Sequence, residues 1–313
     1  MRPSDAARLV LLGGIWGSSF LFIKVALDGL SPLQIVAGRI AIGALLLIAL
    51  LYARGGRLPR DRALLGTLTV MAIIANILPF MLITWGEQHI TSSLTAILNS
   101  TTPLFTVVIA AAALPGEGLR PVRLAGVVLG FAGVGVIVGL DTGGSLAGIV
   151  AVTVASLSYA AGFVYARRHL SGLELPPLAL PATQLLISTV LTAPFALVDV
   201  VRTPPDFTLE ASASTLALGL LGTGWAYVLY YRLIADIGAT SASFVTYLIP
   251  IFGIALGAMV LNEELGVNTL AGAALVIAGI ALAELGNRRA TPSETATCEP
   301  EEVATPSSET TAR

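Results

Sequence analysis

The chain has 313 residues, of which 55% are hydrophobic and 12% are charged, and its mean hydropathy is +0.87. This composition excludes a water-soluble globular domain, and we expect no nucleic-acid partner. The net charge of −2 carries little information about partners, because the arginines are concentrated in particular loops. The charged residues form narrow clusters between apolar runs, so the sequence predicts a polytopic membrane protein that lies in a lipid bilayer.

Ten apolar runs follow one another along the chain, and each is long enough to cross a bilayer. A helix rises about 1.5 Å per residue, so about 20 residues cross about 30 Å of hydrocarbon. The fold class that follows is an all-α membrane protein with ten transmembrane helices. The predicted spans are 8–28, 32–53, 63–86, 90–114, 121–140, 146–168, 177–200, 211–235, 239–262 and 267–286.

The arginines indicate how these spans are oriented, because basic residues in short loops tend to remain on the cytoplasmic side. If the N-terminus is cytoplasmic, Arg202 is the one loop arginine on the opposite side. We therefore expect a multi-pass protein of the plasma (inner) membrane with both termini in the cytoplasm. The arginines on the cytoplasmic side are Arg2, Arg8, Arg54, Arg57, Arg60, Arg62, Arg120, Arg123, Arg167, Arg168, Arg232, Arg288 and Arg289.

The two halves of the chain resemble each other. The stretch 100–139 matches the stretch 247–286, with Pro103 opposite Pro250. Each half contains five predicted spans, and five is an odd number. The second half must therefore enter the membrane upside down relative to the first, as in the inverted repeats of many secondary transporters.

The repeat predicts the domain organisation. We expect a first five-helix repeat over 1–140, a second, inverted repeat over 146–286, and a disordered cytoplasmic tail over 287–313, which is rich in Thr, Ser, Pro and Glu. Arg39 of the first repeat lies opposite Gln184 of the second. The two halves are therefore not chemically equivalent.

Several motifs together resemble one family. They are "IWGSSFLFIK" in the first span, "AGRIAIGALLL" in the second, "TTPLFT" in the fourth, and "LIPIF" followed by "LNEE" in the second half. Their order resembles the drug/metabolite transporter superfamily, and within it the EamA-type ten-helix exporters, over residues 8 to 286. The resemblance implies a transporter with a central cavity between its halves, which works by alternating access and exports small molecules such as amino acids, other metabolites or drugs. From the residues themselves we expect no cofactor and no bound metal.

A polar run interrupts the fourth span. Asn99 begins a row of four polar residues that ends at Thr102, and Pro103 follows. Pro103 frees a backbone carbonyl one turn earlier, and such a segment is poorly suited to contact with lipid. We expect Asn99 and Thr102 to line the cavity together with Tyr247 of the matching segment. The alternative is that the hydroxyls bond to their own helix.

Charged residues inside membrane spans are functional candidates because burying them is costly. Lys24 and Arg39 lie in the outer halves of the first two spans, and Glu87 lies near the outer end of the third. We hypothesise that Arg39 pairs with Glu87 and also contacts the substrate. Lys24 is a second candidate, unless it extends outward toward Asp28. With no acid near mid-membrane, Glu87 with His89 is the only candidate for proton coupling.

The remaining predicted substrate-binding residues are polar or aromatic. Flat aromatic rings can bind apolar or cationic solutes, although helix packing is the alternative for each ring. The aromatic candidates are Trp16, Tyr159, Trp225 and Tyr227, and the polar ones are Ser19 and Asn76.

The competing class is an intramembrane enzyme that acts on a lipid or a small molecule. Such an enzyme needs a nucleophile with its base, paired acids or a metal-binding set at membrane depth. The only two histidines, His89 and His169, lie at helix ends, so we expect no catalytic residues and no enzyme. Gly126 and Gly130 form a ridge that we assign to packing within a monomer, with a dimer interface as the alternative.

Overall fold

The structure is a computed structural model that describes residues 2–114, 118, 120–139, 145–173 and 176–288. The expectation of a disordered tail falls on residues that lie almost entirely outside the described ones. Within the described ranges the chain is helical, and its helices lie side by side as a bundle.

Ten helices correspond to the ten predicted spans. Eight of them are long and apolar enough to cross a membrane, and the other two are shorter apolar helices. This confirms the prediction of an all-α membrane protein with ten spans. The helices are α1 (Pro3–Ala26), α2 (Pro32–Ala53), α3 (Arg62–Gly86), α4 (Ser92–Ala113), α5 (Pro121–Gly139), α6 (Leu146–His169), α7 (Ala179–Arg202), α8 (Leu209–Ile237), α9 (Val245–Val260, after a short turn at Ala239–Ala242) and α10 (Val267–Arg288).

Helix starts follow local sequence signals. Ser31 caps α2 through the backbone N–H of Gln34, whose side chain bonds back to the Ser31 N–H, and Pro32 occupies the first helical position. Asp61 caps α3 and Thr208 caps α8 in the same way, through a side-chain oxygen that accepts a backbone N–H.

The loops alternate between two ends of the bundle that differ in charge. The arginine-rich end contains Arg8, Arg54, Arg62, Arg123, Arg167 and Arg232, whereas the acidic end contains Asp28, Glu87, Asp199, Asp206, Glu263 and Glu264. These two names are used below for the two ends.

The packing of the helices is symmetric between the halves. Helix α5 packs on α10, and α2 packs on α7. The contact of α1 with α9 corresponds to that of α6 with α4, and the contact of α3 with α6 corresponds to that of α8 with α1. Exchanging the first five helices for the last five therefore reproduces these contacts, as expected for two inverted repeats, although the contact of α4 with α10 has no equally extensive counterpart between α9 and α5. The domain boundaries at 140 and 146 stay a prediction.

Helices α5 and α10 approach each other at glycines. A Cβ atom added to Gly126 would lie 2.6 Å from the carbonyl oxygen of Gly279, and one added to Gly133 would lie 2.7 Å from that of Gly272. Only glycine permits this separation, so the two backbones are in direct contact. The glycine ridge on α5 is used for packing inside the bundle.

Two helices contain π-helical turns at corresponding places in the halves. The π segment of α3 is Ile73–Ile77, and that of α8 is Leu218–Trp225. Turns of this kind occur frequently at functional sites. Both segments contribute a polar residue to the interior of the bundle, Asn76 from α3 and Thr223 from α8.

Helix α4 is interrupted at the polar run. Its first part ends at Asn99 and its second begins at Thr102. The hydroxyls of Ser100, Thr101 and Thr102 donate to the carbonyl oxygens three residues earlier, at 2.6, 2.6 and 2.7 Å. Ser156 of α6 donates to one of the same carbonyls, at 3.0 Å.

The hydroxyls of the polar run are therefore used by their own helix, which is the alternative stated above. The carbonyls of Ile97 and Leu98 also accept the backbone N–H groups of Ser100 and Thr101, each at 3.1 Å, so the hydroxyls add a second hydrogen bond there. Pro103 has no N–H group to donate to the carbonyl of Asn99, which accepts the Thr102 hydroxyl instead. Thr102 is 8% exposed, and its hydroxyl is already bonded to the carbonyl of Asn99. The structure thus gives no support to the expectation that Thr102 lines a cavity.

Candidate functional site

Arg39 lies in the second turn of α2, 8% exposed, at the centre of the site. Its Nε donates to Thr223 Oγ1 at 2.9 Å, and its guanidinium carbon lies 4.0 Å from the ring centre of Phe80. Thr223 packs against the Cβ position of Gly43, one turn deeper along α2 than Arg39. The guanidinium group therefore extends from the acidic end toward the middle of the bundle, by about 5 Å.

Two tyrosines complete the surroundings of this charge. Tyr159 and Tyr227 are close enough to interact electrostatically with Arg39, and the ring centre of Tyr159 lies 6.4 Å from that of Phe80. A guanidinium group over an aromatic face is stabilised by the negative face of the ring. We call Arg39, Phe80, Tyr159, Thr223 and Tyr227 the Arg39 cluster.

The second half contains a neutral counterpart of this cluster. Gln184, which lies opposite Arg39 in the repeat, donates from Nε2 to the carbonyl oxygen of Met71 at 3.3 Å. One turn along α7, Ser188 accepts a hydrogen bond from Asn76 Nδ2 at 3.2 Å. Asn76 is fully buried and its Oδ1 has no hydrogen-bond partner. The two halves thus place a cation on one side and amides on the other.

The hypothesised ion pair between Arg39 and Glu87 is absent from the structure, in which both residues are described. No ion-pair contact joins them, and neither carboxyl oxygen of Glu87 has a hydrogen-bond partner. The physical reason is the direction in which the Arg39 side chain extends. The Arg39 side chain extends inward to α8, whereas Glu87 lies in the turn that follows α3.

Lys24 binds that same turn. Its Nζ donates to the backbone carbonyl oxygens of Glu87 and Ile90, at 2.5 and 3.0 Å, which differs from the alternative in which Lys24 extends toward Asp28. That Lys24 contacts the substrate stays a prediction. Burial raises the pKa of the Glu87 carboxyl well above its usual range, and the Lys24 ammonium group opposes this increase. His89 is exposed and packs on Trp85 with ring centres 4.2 Å apart and the rings tilted by 39°, so it lies at the rim of the bundle.

Glu263 joins the two halves at the acidic end. Its carboxylate accepts the backbone N–H groups of Ser92 and Ser93, at 2.7 and 2.9 Å, and the Ser93 hydroxyl at 2.6 Å. It therefore caps the N-terminus of α4 from the loop between α9 and α10. Burial alone would raise the pKa of Glu263, but these hydrogen bonds from Ser93 and Ser92 bring it below its ordinary value.

Further hydrogen bonds join the halves at the same end. Ser31 donates to a carboxylate oxygen of Asp199, and Gln34 Nε2 donates to the carbonyl oxygen of Thr203 at 2.8 Å. The loop between α1 and α2 is thereby tied to the end of α7. These contacts and the Glu263 cap close the acidic end of the bundle.

Two cavities lie at the arginine-rich end. One cavity of about 500 Å³ is lined by Leu51, Arg54, Leu178, Val228, Tyr231 and Arg232, among others. Tyr231 lies one helical turn from Tyr227 of the Arg39 cluster, with ring centres 6.4 Å apart. A second cavity, of about 560 Å³, lies beside Arg2, Asp5 and Asp236. The first of these adjoins the Arg39 cluster through Tyr231, although none of its lining residues belongs to the cluster.

The other predicted residues lie at varying distances from the cluster. Ser19 is buried, donates to the Ile15 carbonyl at 3.2 Å and lies next to Gly222 of α8, close to Arg39. Trp16 packs on Tyr230 with ring centres 5.4 Å apart.

Three predicted residues lie elsewhere. Trp225 is 42% exposed, one turn after the exposed Leu221, and so belongs to the surface of α8. Asn99 is half-buried with its Oδ1 unpartnered, and Tyr247 packs against the main hydrophobic core.

Sequence reasoning missed the two nearest neighbours of the Arg39 guanidinium. Phe80 belongs to an apolar run that resembles any other membrane-spanning segment. Thr223 lies between Gly222 and Gly224 in "GLLGTGW", and this glycine-rich stretch is the signal that could have identified it. The glycines mark close packing of α8 on α2.

Comparison with known proteins assigns the fold to a family. The sequence model of the EamA-like transporter family matches residues 6–139 and again 146–285. A solved crystal structure that is 21% identical superposes with a TM-score of 0.65 and covers 92% of this chain and 99% of that chain. This similarity indicates the same fold.

Curated relatives match along most of their length. YoaV of Bacillus subtilis (strain 168), named an uncharacterized transporter, is 26% identical over 85% of this chain and 91% of its own. YedA of Escherichia coli (strain K12), named an uncharacterized inner membrane transporter, is 26% identical over 87% and 88%. A probable terminal-alkyne amino-acid exporter of Streptantibioticus cattleyicolor is 28% identical over 92% and 97%.

Proposed function

The chain belongs to the EamA-like transporter family, and from this we propose that it is a secondary transporter that exports small metabolites from the cell. Its substrates are amino acids, related compounds or drugs, and one relative carries the name of an amino-acid exporter. Transport proceeds by alternating access, in which a central site opens first to one end of the bundle and then to the other.

The arrangement of the two ends supports this proposal more than any other observation. The Arg39 cluster lies between an acidic end closed by hydrogen bonds between the halves and an arginine-rich end that contains a cavity of about 500 Å³. Halves that are joined at one end and separated by a cavity at the other are what one state of an alternating-access transporter requires. The second state arises when the contacts of Gln34 and Glu263 break.

The charge of the two ends gives the orientation. In the proposed topology the arginine-rich end and both termini face the cytoplasm, and the membrane is the plasma (inner) membrane. The structure then corresponds to an inward-facing state, ready to accept a solute from the cytoplasm. Reporter fusions at position 290 and within 202–210 should report opposite sides, and agreement between them contradicts the topology.

Transport is tested with purified protein in sealed liposomes. Vesicles loaded with one unlabelled amino acid should accumulate the same labelled amino acid by exchange, and the solute should be recovered chemically unchanged. Empty liposomes are the control. Recovery of a chemically altered product would support the intramembrane enzyme instead, whereas failure to move any member of a broad panel of amino acids, organic acids and drugs would refute transport.

A crosslinking experiment tests alternating access itself. The chain has a single cysteine, Cys298, which is first replaced by serine. Cysteines at positions 34 and 203 are then joined by a short bis-methanethiosulfonate crosslinker, which forms a reducible disulfide with each thiol, releases methanesulfinate and holds the acidic end closed. Exchange should stop in the crosslinked protein and return after reduction, while each single-cysteine variant stays active. Undiminished exchange in the crosslinked protein would contradict alternating access through this end.

A further inference from the structure

Arg39 is a buried cation without a buried anion. Its side chain is 8% exposed, and in the described part of the chain no aspartate or glutamate forms an ion pair with it. Its nearest polar partner is the neutral hydroxyl of Thr223. Burying a charge without a counter-charge is costly, so a structure that retains one has a use for it.

Most of the donors of this guanidinium group are unused. Arginine has five N–H donors, and the one on Nε is bonded to Thr223. Neither Nη atom of Arg39 has a hydrogen-bond partner among the described residues. A planar edge with two free nitrogens matches the two oxygens of a carboxylate, which it binds through two parallel hydrogen bonds.

The charged residues near Arg39 do not bind the two free Nη atoms of its guanidinium edge. Glu87 influences Arg39 only at a distance, and Lys24 is occupied by two backbone carbonyls. The edge therefore presents one positive charge, which favours a monoanion over a dianion such as a phosphate monoester. Since no described residue supplies an anion for this edge, we expect its partner to come from solution.

The side chains around Arg39 indicate which chemical group the ligand carries in addition to its carboxylate. The ring centre of Phe80 lies 4.0 Å from the guanidinium carbon, and the Tyr159 ring packs against Phe80. Tyr227 is close enough to interact electrostatically with Arg39. Gly222 of α8 passes close to the guanidinium group, since a Cβ atom there would lie 2.9 Å from Ser19 Oγ and 4.0 Å from Arg39 Nη2. Such aromatic side chains bind an apolar or aromatic group.

The cavity next to the site also favours anions. The cavity at the arginine-rich end is lined by Arg54 and Arg232, and no acidic residue belongs to its described lining. A cleft of one sign concentrates ions of the opposite sign. Tyr231 and Tyr227 follow one another along α8 from this cavity to the Arg39 cluster.

We infer that the Arg39 cluster is a binding site for the carboxylate of a monoanionic or zwitterionic solute with an apolar or aromatic side chain. The inference rests on the proposed function, because it names the chemical group by which the transported solute is recognised. Arg39 holds the carboxylate, and Phe80, Tyr159 and Tyr227 contact the rest of the molecule.

Matched ligands test this inference on the wild-type protein, so the test does not depend on a variant that folds. The probes are L-phenylalanine, 3-phenylpropionate, L-phenylalaninamide and 2-phenylethylamine, with the corresponding leucine series. Binding to purified protein is measured by the increase in melting temperature and by calorimetry. The compounds with a carboxylate should bind at least about tenfold more tightly than the amide and the amine, as expected for the loss of hydrogen bonds to a charged group.

Variants locate the site. Arg39→Gln should weaken binding of the carboxylates by at least about tenfold and leave the weak binding of the amide and amine unchanged. Arg39→Lys should retain part of the affinity, because the charge remains but the two-pronged geometry is lost. Gln184→Leu is the matched control at the opposite position of the repeat, and it should bind the carboxylates as the wild type does. Sodium formate and sodium chloride test whether a small anion alone suffices.

Three results would overturn the inference. They are equal binding of acid and amide, unchanged carboxylate binding in Arg39→Gln, and binding of formate or chloride as tight as that of phenylalanine. The failure of the proposed function is distinguishable. A protein that exchanges only neutral or cationic solutes in liposomes is a transporter for which this inference is wrong, whereas one that moves no solute contradicts transport itself.

Discussion

Glu263 and Ser93 belong to different halves of the chain, yet the carboxylate of Glu263 accepts both the backbone N–H and the hydroxyl of Ser93, at 2.9 and 2.6 Å. The sequence separation of 170 residues makes this a contact between the halves. Because the carboxylate also caps α4, its charge is stabilised by the N-terminus of that helix. Protonating Glu263 therefore weakens the closure of the acidic end.

The first prediction concerns the pH dependence of this contact. The folded protein holds the pKa of Glu263 below its ordinary value. The stabilisation is then fully present above the unfolded pKa, about 4.3, and is lost as the pH falls through the lower folded pKa. At pH 7, Glu263→Gln should lower the free energy of unfolding by about 1 kcal/mol, which is measured as a lower melting temperature. The difference in melting temperature between this variant and the wild type should become smaller below about pH 5.

The neighbouring Glu264 provides the matched control. Its side chain is exposed, so Glu264→Gln should change the melting temperature little at any pH. A difference between wild type and Glu263→Gln that stays constant from pH 7 to pH 4 would show that the carboxylate charge is not responsible.

The second prediction concerns the hydrogen bond from Arg39 to Thr223. Thr223→Val keeps the shape of the side chain and its packing on Gly43 but removes the acceptor. A hydrogen bond to a charged group contributes about 1.5–3 kcal/mol, so the free energy of unfolding should fall by about that amount, with Thr223→Ser close to wild type. Thr215→Val is the control on the same helix, since Thr215 bonds only within α8, and it should have a smaller effect.

The third prediction follows from the absent ion pair. Arg39→Leu, Glu87→Leu and the double variant should show stability effects that add to within about 0.5 kcal/mol. Lys24→Leu with Glu87→Leu should couple more strongly, because Lys24 exerts the larger electrostatic effect on Glu87. If thermal melting shows that the Arg39 and Glu87 double variant is more stable than the single variants, the prediction is wrong and the two residues form an ion pair.

The fourth prediction compares two glycines of α5. A Cβ atom on Gly126 would lie 2.4 Å from the backbone nitrogen of Ala283, whereas one on Gly135 would have nothing within 4 Å. Gly126→Ala should therefore destabilise the protein by about 1–3 kcal/mol, because the helices must separate. Gly135→Ala should stabilise it by up to about 1 kcal/mol, because alanine is the better helix former. Equal effects on unfolding would mean that α5 and α10 do not pack in this way.

The sequence predicted the fold well because membrane spans leave a strong signal. Hydrophobic length identified ten spans, and their bounds differ from the observed helices mainly at the ends, as with α1, which begins at Pro3 rather than at residue 8. The repeat also indicated which helices should be neighbours. These features depend on local composition and on self-similarity, both of which a single sequence contains.

The partners of individual side chains were harder to predict. Arg39 was identified as a candidate because a cation within a span is unusual, but its contact with Thr223 depends on the direction of a long side chain between two helices. The hydroxyls of Ser100 and Thr101 were expected in a polar segment, yet whether a hydroxyl faces a cavity or its own helix is decided by backbone geometry. Hydropathy and spacing do not contain that information.

The π-helical turns of α3 and α8 link the site to the winding of its helices. A π turn holds more residues than an α turn, so tightening Leu218–Trp225 to regular α-helix would rotate everything beyond it by about 100° per residue released. Thr223 lies inside that segment, and Asn76 lies inside the other. Rewinding α8 would therefore rotate Thr223 away from Arg39, and rewinding α3 would rotate Asn76 away from Ser188. Each half of the molecule contains such a π-helical segment at a corresponding place.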